Sequence, residues 1–228
     1  MTWFRRAAVA LVVGGALLLA SGLFLPAKAA LAQVLMRRAW SVTETDPVRP
    51  WPWAETWPVA RLRVPALGVD RIVLAGDEGA ALAFAPGHVD GTALPGESGN
   101  VVLAGHRDTV FAFLGKLGLG DELELEAADG ARRSYTVTDT AVVHERDTTV
   151  LDPTAEPTLT LVTCYPLGGA RPGGPLRYVV RAAAARTAGA GSTGARVRDG
   201  RYGVAADQRV RSPESKPVSY THLTLPTT

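Results

Sequence analysis

Cysteine is almost missing from this chain: Cys164 is the only one among 228 residues. A single thiol excludes an intrachain disulfide framework and any thiolate metal cluster held by one chain. Histidine is nearly as scarce. The four stand at 88, 106, 144 and 222, with no pair at the spacing of a helical metal site, so no metal or other cofactor is expected. A basic nucleic-acid-binding face is missing too. The formal net charge is +2, but residues 59–182 carry eleven basic and sixteen acidic groups, and the positive excess lies at the two ends.

Long apolar runs are absent except for one. Ala7–Leu25, "AAVALVVGGALLLASGLFL", is nineteen residues without a charge, and at about 1.5 Å per residue it just matches a hydrocarbon layer of about 30 Å. Arg5 and Arg6 precede it, which favours a cytoplasmic N-terminus. A cleavable signal is the rival reading, with "AKA" at 27–29 as the cleavage site. Such signals usually have apolar regions of about 7–15 residues, so the longer run favours an uncleaved anchor over residues 1–27. Either way the rest of the chain is expected outside the inner membrane of a bacterium.

Residues 28–58 form a lead-in ending "DPVRPWPWAETWP". Proline there blocks helix and ladder and favours extended backbone. Trp51, Trp53 and Trp57 are expected to lie along a domain surface rather than in water. From 59 the texture becomes short strands punctuated by Gly, Pro and Asp. Strands are expected at 59–65, 69–75, 99–105, 121–127, 133–143, 157–163 and 175–182, with a helical turn within 79–88 and a short helix at 109–117. Seven strands with little helix predict a barrel or sandwich over 59–182. Residues 183–217 are Ala/Gly/Arg-rich and read as disordered. The last eleven, "VSYTHLTLPTT", resemble translated read-through of a sequencing adapter, so their "LPTT" and His222 are set aside.

Three residues could carry chemistry. Cys164 ends "TLTLVTC" just before the Gly/Pro-rich "YPLGGARPGG", where a rigid strand opens into a loop. On that strand Leu159, Leu161 and Thr163 share the inward phase. His106 holds a matching place, where apolar "NVVLAG" turns abruptly into "HRD". Arg177 lies within "PLRYVV", where a solvent-facing arginine would be ordinary. A nearby cation favours the thiolate, a guanidinium can stabilise a developing oxyanion, and an imidazole can protonate a leaving amine. Cys, His and Arg thus suffice for acyl transfer without a metal, although a lone strand cysteine is more often core filler.

The full strings go further. "TLVTC" (160–164) resembles the T-L-x-T-C motif of sortases, the membrane-anchored cysteine transpeptidases, and "LAGHRD" (103–108) resembles their histidine segment. "FAFLGKLGLGDELEL" (111–125) is similar to the stretch that follows it, and "PLRYVV" supplies their strand arginine in the same order, His, Cys, Arg. "ALPGESGNVVLAGHRD" and "WPWAETWPVARL" are particularly like the proteobacterial class GN branch. The resemblance covers roughly residues 36–182. It implies a mainly β fold, an eight-stranded sortase-type barrel with short helices, preceded by an N-terminal transmembrane helix. It also implies that Cys164 attacks an LPxTG-like sorting signal of a surface protein, with His106 as acid and base and Arg177 holding substrate and oxyanion. Thr163 would add a hydroxyl contact to substrate. An amine would resolve the thioacyl enzyme, and the target would resemble a surface protein with VIT and von Willebrand A domains.

Alternatives stand beside each choice. His88 in "APGHVDG" reads as a loop histidine and His144 in "VHERD" as solvated. Arg107 or Arg171 could replace Arg177 as oxyanion donor, and Asp108 either orients His106 or caps the following helix. "DP" at 46–47 resembles the lid of pilus-building sortases only in part, because Val48 follows where an aromatic belongs; a packing strap is the plainer reading. Glu122, Glu124 and Glu126 share one strand face and read as solvated. Two other functions compete: another exported Cys/His/Arg acyl-transferase such as an L,D-transpeptidase, whose S-H-G-x-C string is absent, or a membrane-anchored β-domain that binds without chemistry.

Overall fold

Period-two alternation builds most of this fold. "PVARLRV" buries every second side chain, so Leu62 and Val64 are fully covered while Arg61 and Arg63 remain half-buried. "ELELEA" does the same with Leu123 and Leu125. The molecule is a computed structural model that describes residues 2–43, 47–77, 82, 84–169 and 174–185. Within the N-terminal helix the side chains of 2, 10, 16–21, 23, 25 and 26 are outside that description. Asp46, Arg171, much of the 79–88 turn, nearly all of the 183–217 tail and the adapter-like end lie outside the described residues.

The elements are α1 (Thr2–Val42) and eight strands: β1 (Pro58–Val64), β2 (Val69–Ala75), β3 (Gly87–His88), β4 (Asn100–Ala104), β5 (Glu122–Ala127), β6 (Arg132–His144), β7 (Thr158–Tyr165) and β8 (Leu176–Ala184). They close into a barrel in the order β1-β2-β3-β4-β7-β8-β6-β5. Only β2 with β3 and β4 with β7 run parallel. The eighth strand is β3, missed in the sequence because two residues show no alternation. The expected helix at 109–117 is instead a run of turns with one 3-10 turn, Leu114–Lys116. β8 extends to Ala184, two residues into the stretch expected to be disordered.

The interior is filled by Leu62, Val101, Leu103, Phe111, Leu123, Leu125, Leu159, Leu161 and Val180, all at most 2% exposed. Burying each such side chain contributes about 1.5–3 kcal/mol. A second cluster, Val89, Val102, Ala104, Val150, Val162 and Val179, covers the outer face of β4, β7 and β8. The two clusters alternate residue by residue along β7, so each side chain's face follows from its parity.

The lead-in departs from expectation. Residues 28–42 are not extended: α1 runs on to Val42, and Ala32 and Met36 pack its last turns against Ile72 and Leu74 of β2. Alanine, leucine, glutamine and arginine in "AKAALAQVLMRRAW" all favour helix, and the docked face stabilises it further. Gln33 Nε2 donates to Phe84 O at 2.6 Å, and Thr43 Oγ1 closes the helix onto Ala39 O at 2.7 Å. Among the described residues no helix is long and apolar enough to cross a membrane. Of the three tryptophans, Trp51 packs beside Met36, Trp57 lines a cavity, and Trp53 is 80% exposed. That cavity, about 540 Å³, also takes in Pro47, His88 and Asp129. The strap residue Pro47 and His88 thus line the same cavity.

The acidic strand is paired as well as solvated. Arg63 reaches Glu126 at 2.8 Å, and Arg132 reaches it at 3.2 Å from the neighbouring strand.

Candidate active site

Cys164 sits one residue before the end of β7 and is 2% exposed, so the thiol is inside the strand rather than beyond it. Its parity matches Val162, on the outer face covered by the second apolar cluster. Arg177 is the direct antiparallel partner of Cys164 on β8. Directly opposed residues share a face, with Cβ atoms about 5 Å apart. Arg177 is not the solvent-facing arginine that its strand suggests: it too is only 2% exposed.

Burial of that guanidinium is made tolerable by its partners. Nη1 donates to Gly174 O at 2.7 Å and Leu176 O at 3.0 Å, and Nη2 donates to Glu145 Oε2 at 3.0 Å. Glu145 follows directly after β6 and was not singled out in the sequence. Its only signal was adjacency to His144, which pairs with Leu176 across the β6–β8 ladder.

His106 arrives from the parallel strand on the other side. Ala104 pairs with Val162, and Gly105 N continues the ladder to Val162 O at 3.2 Å. His106 follows at once, and its carbonyl accepts from Phe111 N at 3.0 Å, which holds the turn over fully buried Phe111. Gly105 is required there: a Cβ would meet Val110 Cγ2 at 2.7 Å and Phe111 Cδ2 at 2.9 Å. The topology thus brings His106, Cys164 and Arg177 to one end of three adjacent strands, β4, β7 and β8.

His88 is set apart from this group. It pairs with Leu103, so it shares the interior face of the sheet, opposite to that of Cys164. Far from being a loop residue, it is 4% exposed on β3, with Nε2 2.8 Å from Ala93 O. His144, at the end of β6, is exposed, and its Nδ1 accepts from Arg146 N at 3.2 Å.

Thr163 points inward, and its hydroxyl donates to Gly105 O at 2.6 Å. It is 2% exposed, so this hydroxyl joins the cysteine strand to the histidine strand. Arg107 makes a second connection. It is 5% exposed, with Nη1 donating to Pro166 O at 3.0 Å and Nη2 to Gly169 O at 2.8 Å. Asp108 lies 3.3 Å from Arg107 Nε and faces solvent. Among the described residues no group of three or more His, Cys, Asp or Glu stands close enough to hold a metal ion.

The sortase domain pattern matches residues 62–185, more than half of the chain. The chain belongs to the sortase family. Sortase D of Bacillus subtilis (strain 168) is 34% identical over 123 residues, covering 52% of this chain and 60% of that protein. The chain therefore spans less than two-thirds of that relative's length. A sortase D5 transpeptidase of Clostridium perfringens is 25% identical with a TM-score of 0.55, over 68% of this chain and 99% of that one. Sortase C1 of Streptococcus agalactiae is 27% identical with a TM-score of 0.51, over 56% and 69% of the two chains. The mainly β, eight-stranded barrel is the sortase fold, and sortases are cysteine transpeptidases.

Proposed function

We propose that this sortase cleaves an LPxTG-like C-terminal sorting signal of a surface protein and transfers the acyl part to an amine. The Cys164 thiolate adds to the carbonyl carbon of the signal's threonine, forming a C–S bond. The C–N bond then breaks, and His106 gives its proton to the departing amine. An acceptor amine next attacks the thioester, loses a proton to His106, and releases the Cys164 sulfur as the new amide forms. Arg177 stabilises the oxyanion in both halves, a role that suits a guanidinium fixed on a strand. Thr163 supports the site through Gly105 and in this reading needs no direct contact with substrate.

The observation that carries the proposal is the direct pairing of Cys164 with Arg177 on neighbouring strands, both buried. A binding domain with a filler cysteine gives no reason to bury a guanidinium beside it, since burying a charge is costly even when it is paired. The uncharged run Ala7–Leu25 behind Arg5 and Arg6 supports an inner-membrane anchor with the barrel on the periplasmic side. The strings "ALPGESGNVVLAGHRD" and "WPWAETWPVARL" support the class GN assignment, and a VIT/von Willebrand A target follows from that branch.

The test is incubation of the chain with LPxTG-like peptides and a glycine-based amine, followed by mass spectrometry. A thioester adduct on Cys164, absent from Cys164→Ala, together with an amine-joined product, is expected. No adduct across a varied peptide set, with Cys164 also inert to alkylation, would favour the silent binding domain.

A further inference from the structure

We infer that Arg107 is a positioning residue that fixes His106 relative to Cys164, an inference that rests on the transpeptidase reading above. Its guanidinium ties the segment carrying the histidine to the loop that follows the cysteine. Arg107 is the next residue after His106, and Pro166 is the second residue after Cys164. The bond from Nη1 to Pro166 O therefore bridges the two segments close behind both reactive side chains. The bond from Nη2 to Gly169 O extends the grip along the same loop.

The counterpart on the near side is the Thr163 hydroxyl on Gly105 O, one residue before each reactive side chain. His106 and Cys164 are thus bracketed by two cross-links that run between the same two segments. Neither bracket depends on the strand ladder, which ends with Gly105 N on Val162 O. Beyond that point nothing in the β4–β7 pairing fixes the histidine: the turn closed by Phe111 N on His106 O shapes its own segment, and the two side-chain cross-links tie that segment to the cysteine strand.

The chemistry of the residue fits the task. Two carbonyls presented side by side suit a planar fork with several fixed N–H directions, which lysine lacks. The side chain is 3% exposed, and Asp108 supplies a carboxylate at 3.3 Å from Nε. Burying a cation to satisfy two loop carbonyls is a costly way to hold a loop. The cost makes sense where displacement of a reacting group matters, since an error of about 1 Å can cost a hundredfold in rate. Gly169 is part of the arrangement: a Cβ there would lie 3.3 Å from Arg107 Nη1 and 3.2 Å from Pro166 O.

The experiment compares wild type, Arg107→Met, Arg107→Lys and His106→Ala as full chains. Three readouts are taken: the pH profile of Cys164 alkylation by iodoacetamide, kcat and KM on an LPxTG-like peptide with a glycine amine, and hydrogen exchange of residues 104–106 and 165–169. For Arg107→Met the alkylation profile should move to that of His106→Ala, and kcat should fall about 10–100-fold with KM within about threefold. Exchange should quicken in both segments. Arg107→Lys should lie between, because one ammonium reaches one carbonyl. A folded Arg107→Met with the wild-type alkylation profile and kcat would overturn the inference, and so would unchanged exchange. If the methionine variant fails to fold, Arg107→Lys decides: wild-type values overturn the clamp, intermediate ones support it. Lack of turnover in the wild type would count against the transpeptidase reading, while the alkylation profile and exchange would still judge the clamp.

Discussion

Arg177 and Glu145 form an ion pair at 3.0 Å although 32 residues separate them, and the pair stands directly behind Cys164. Glu145 is 29% exposed by side chain whereas Arg177 is 2%, so the carboxylate is the half of the pair that water can reach. Removing its charge keeps the hydrogen bond but takes the carboxylate charge away from the buried guanidinium. Glu145→Gln is expected to lower kcat/KM on a sorting peptide about tenfold, equivalent to about 1.4 kcal/mol in the barrier. Steady-state kinetics beside a melting curve checks this, and a wild-type kcat/KM would show that Arg177 keeps its place without the carboxylate charge.

Thr163→Val should separate packing from hydrogen bonding. Valine matches threonine in shape but leaves Gly105 O without its 2.6 Å donor in a buried place. A loss of about 1–3 kcal/mol in denaturant unfolding is expected, together with a fall in kcat larger than any rise in KM. Equal stability would mean that Gly105 O finds another partner.

Gly87→Ala tests the weakest link of the barrel. A Cβ at Gly87 would lie 2.1 Å from Gly76 O and 2.9 Å from Leu82 Cδ2, and the first of these is backbone that cannot swing aside. β3 is only two residues long and alone connects β2 to β4. The substitution is expected to give insoluble protein or a loss of several kcal/mol, well beyond the usual cost of about 0.5–3 kcal/mol for a point change. Chemical denaturation reads it directly.

Asp70→Asn carries a pH signature. The Arg61 guanidinium bound to Asp70 holds its carboxyl below the ordinary carboxylate value. A depressed folded pKa means that the stabilisation is present above the unfolded pKa, near 4, and is lost as pH falls through the lower folded value. Wild type should therefore exceed Asp70→Asn by about 0.5 kcal/mol at neutral pH, a figure reduced for a pair roughly one-third exposed. The gap should close on acidification below about pH 4. A gap that persists at low pH would assign the difference to packing.

Seven of the eight strands were legible because each runs for at least five residues, alternating as in β1 and β5 or continuously apolar as in β4, and the T-L-x-T-C string located the thiol. β3 was invisible for lack of length, which also misplaced His88 in a loop. The burial of Arg177 was hidden for a different reason. An arginine inside a strand reads as solvent-facing unless its counter-ion is known, and Glu145 meets it only once β6 folds against β8. Arg107 was weighed only as an oxyanion donor. Its carbonyl partners belong to the loop after Cys164, and backbone acceptors leave no mark in a sequence. The helical half of the lead-in was masked by the prolines further on, although its own residues favour helix.

Met36 is fully buried against β2 within the same unbroken helix that begins at Thr2. There is consequently no flexible joint between the first turn of α1 and the barrel wall. Whatever grips the first turns of α1 also sets the compass bearing of the end where Cys164 lies. Lengthening or shortening α1 by a single residue would turn the barrel by about 100° about the helix axis.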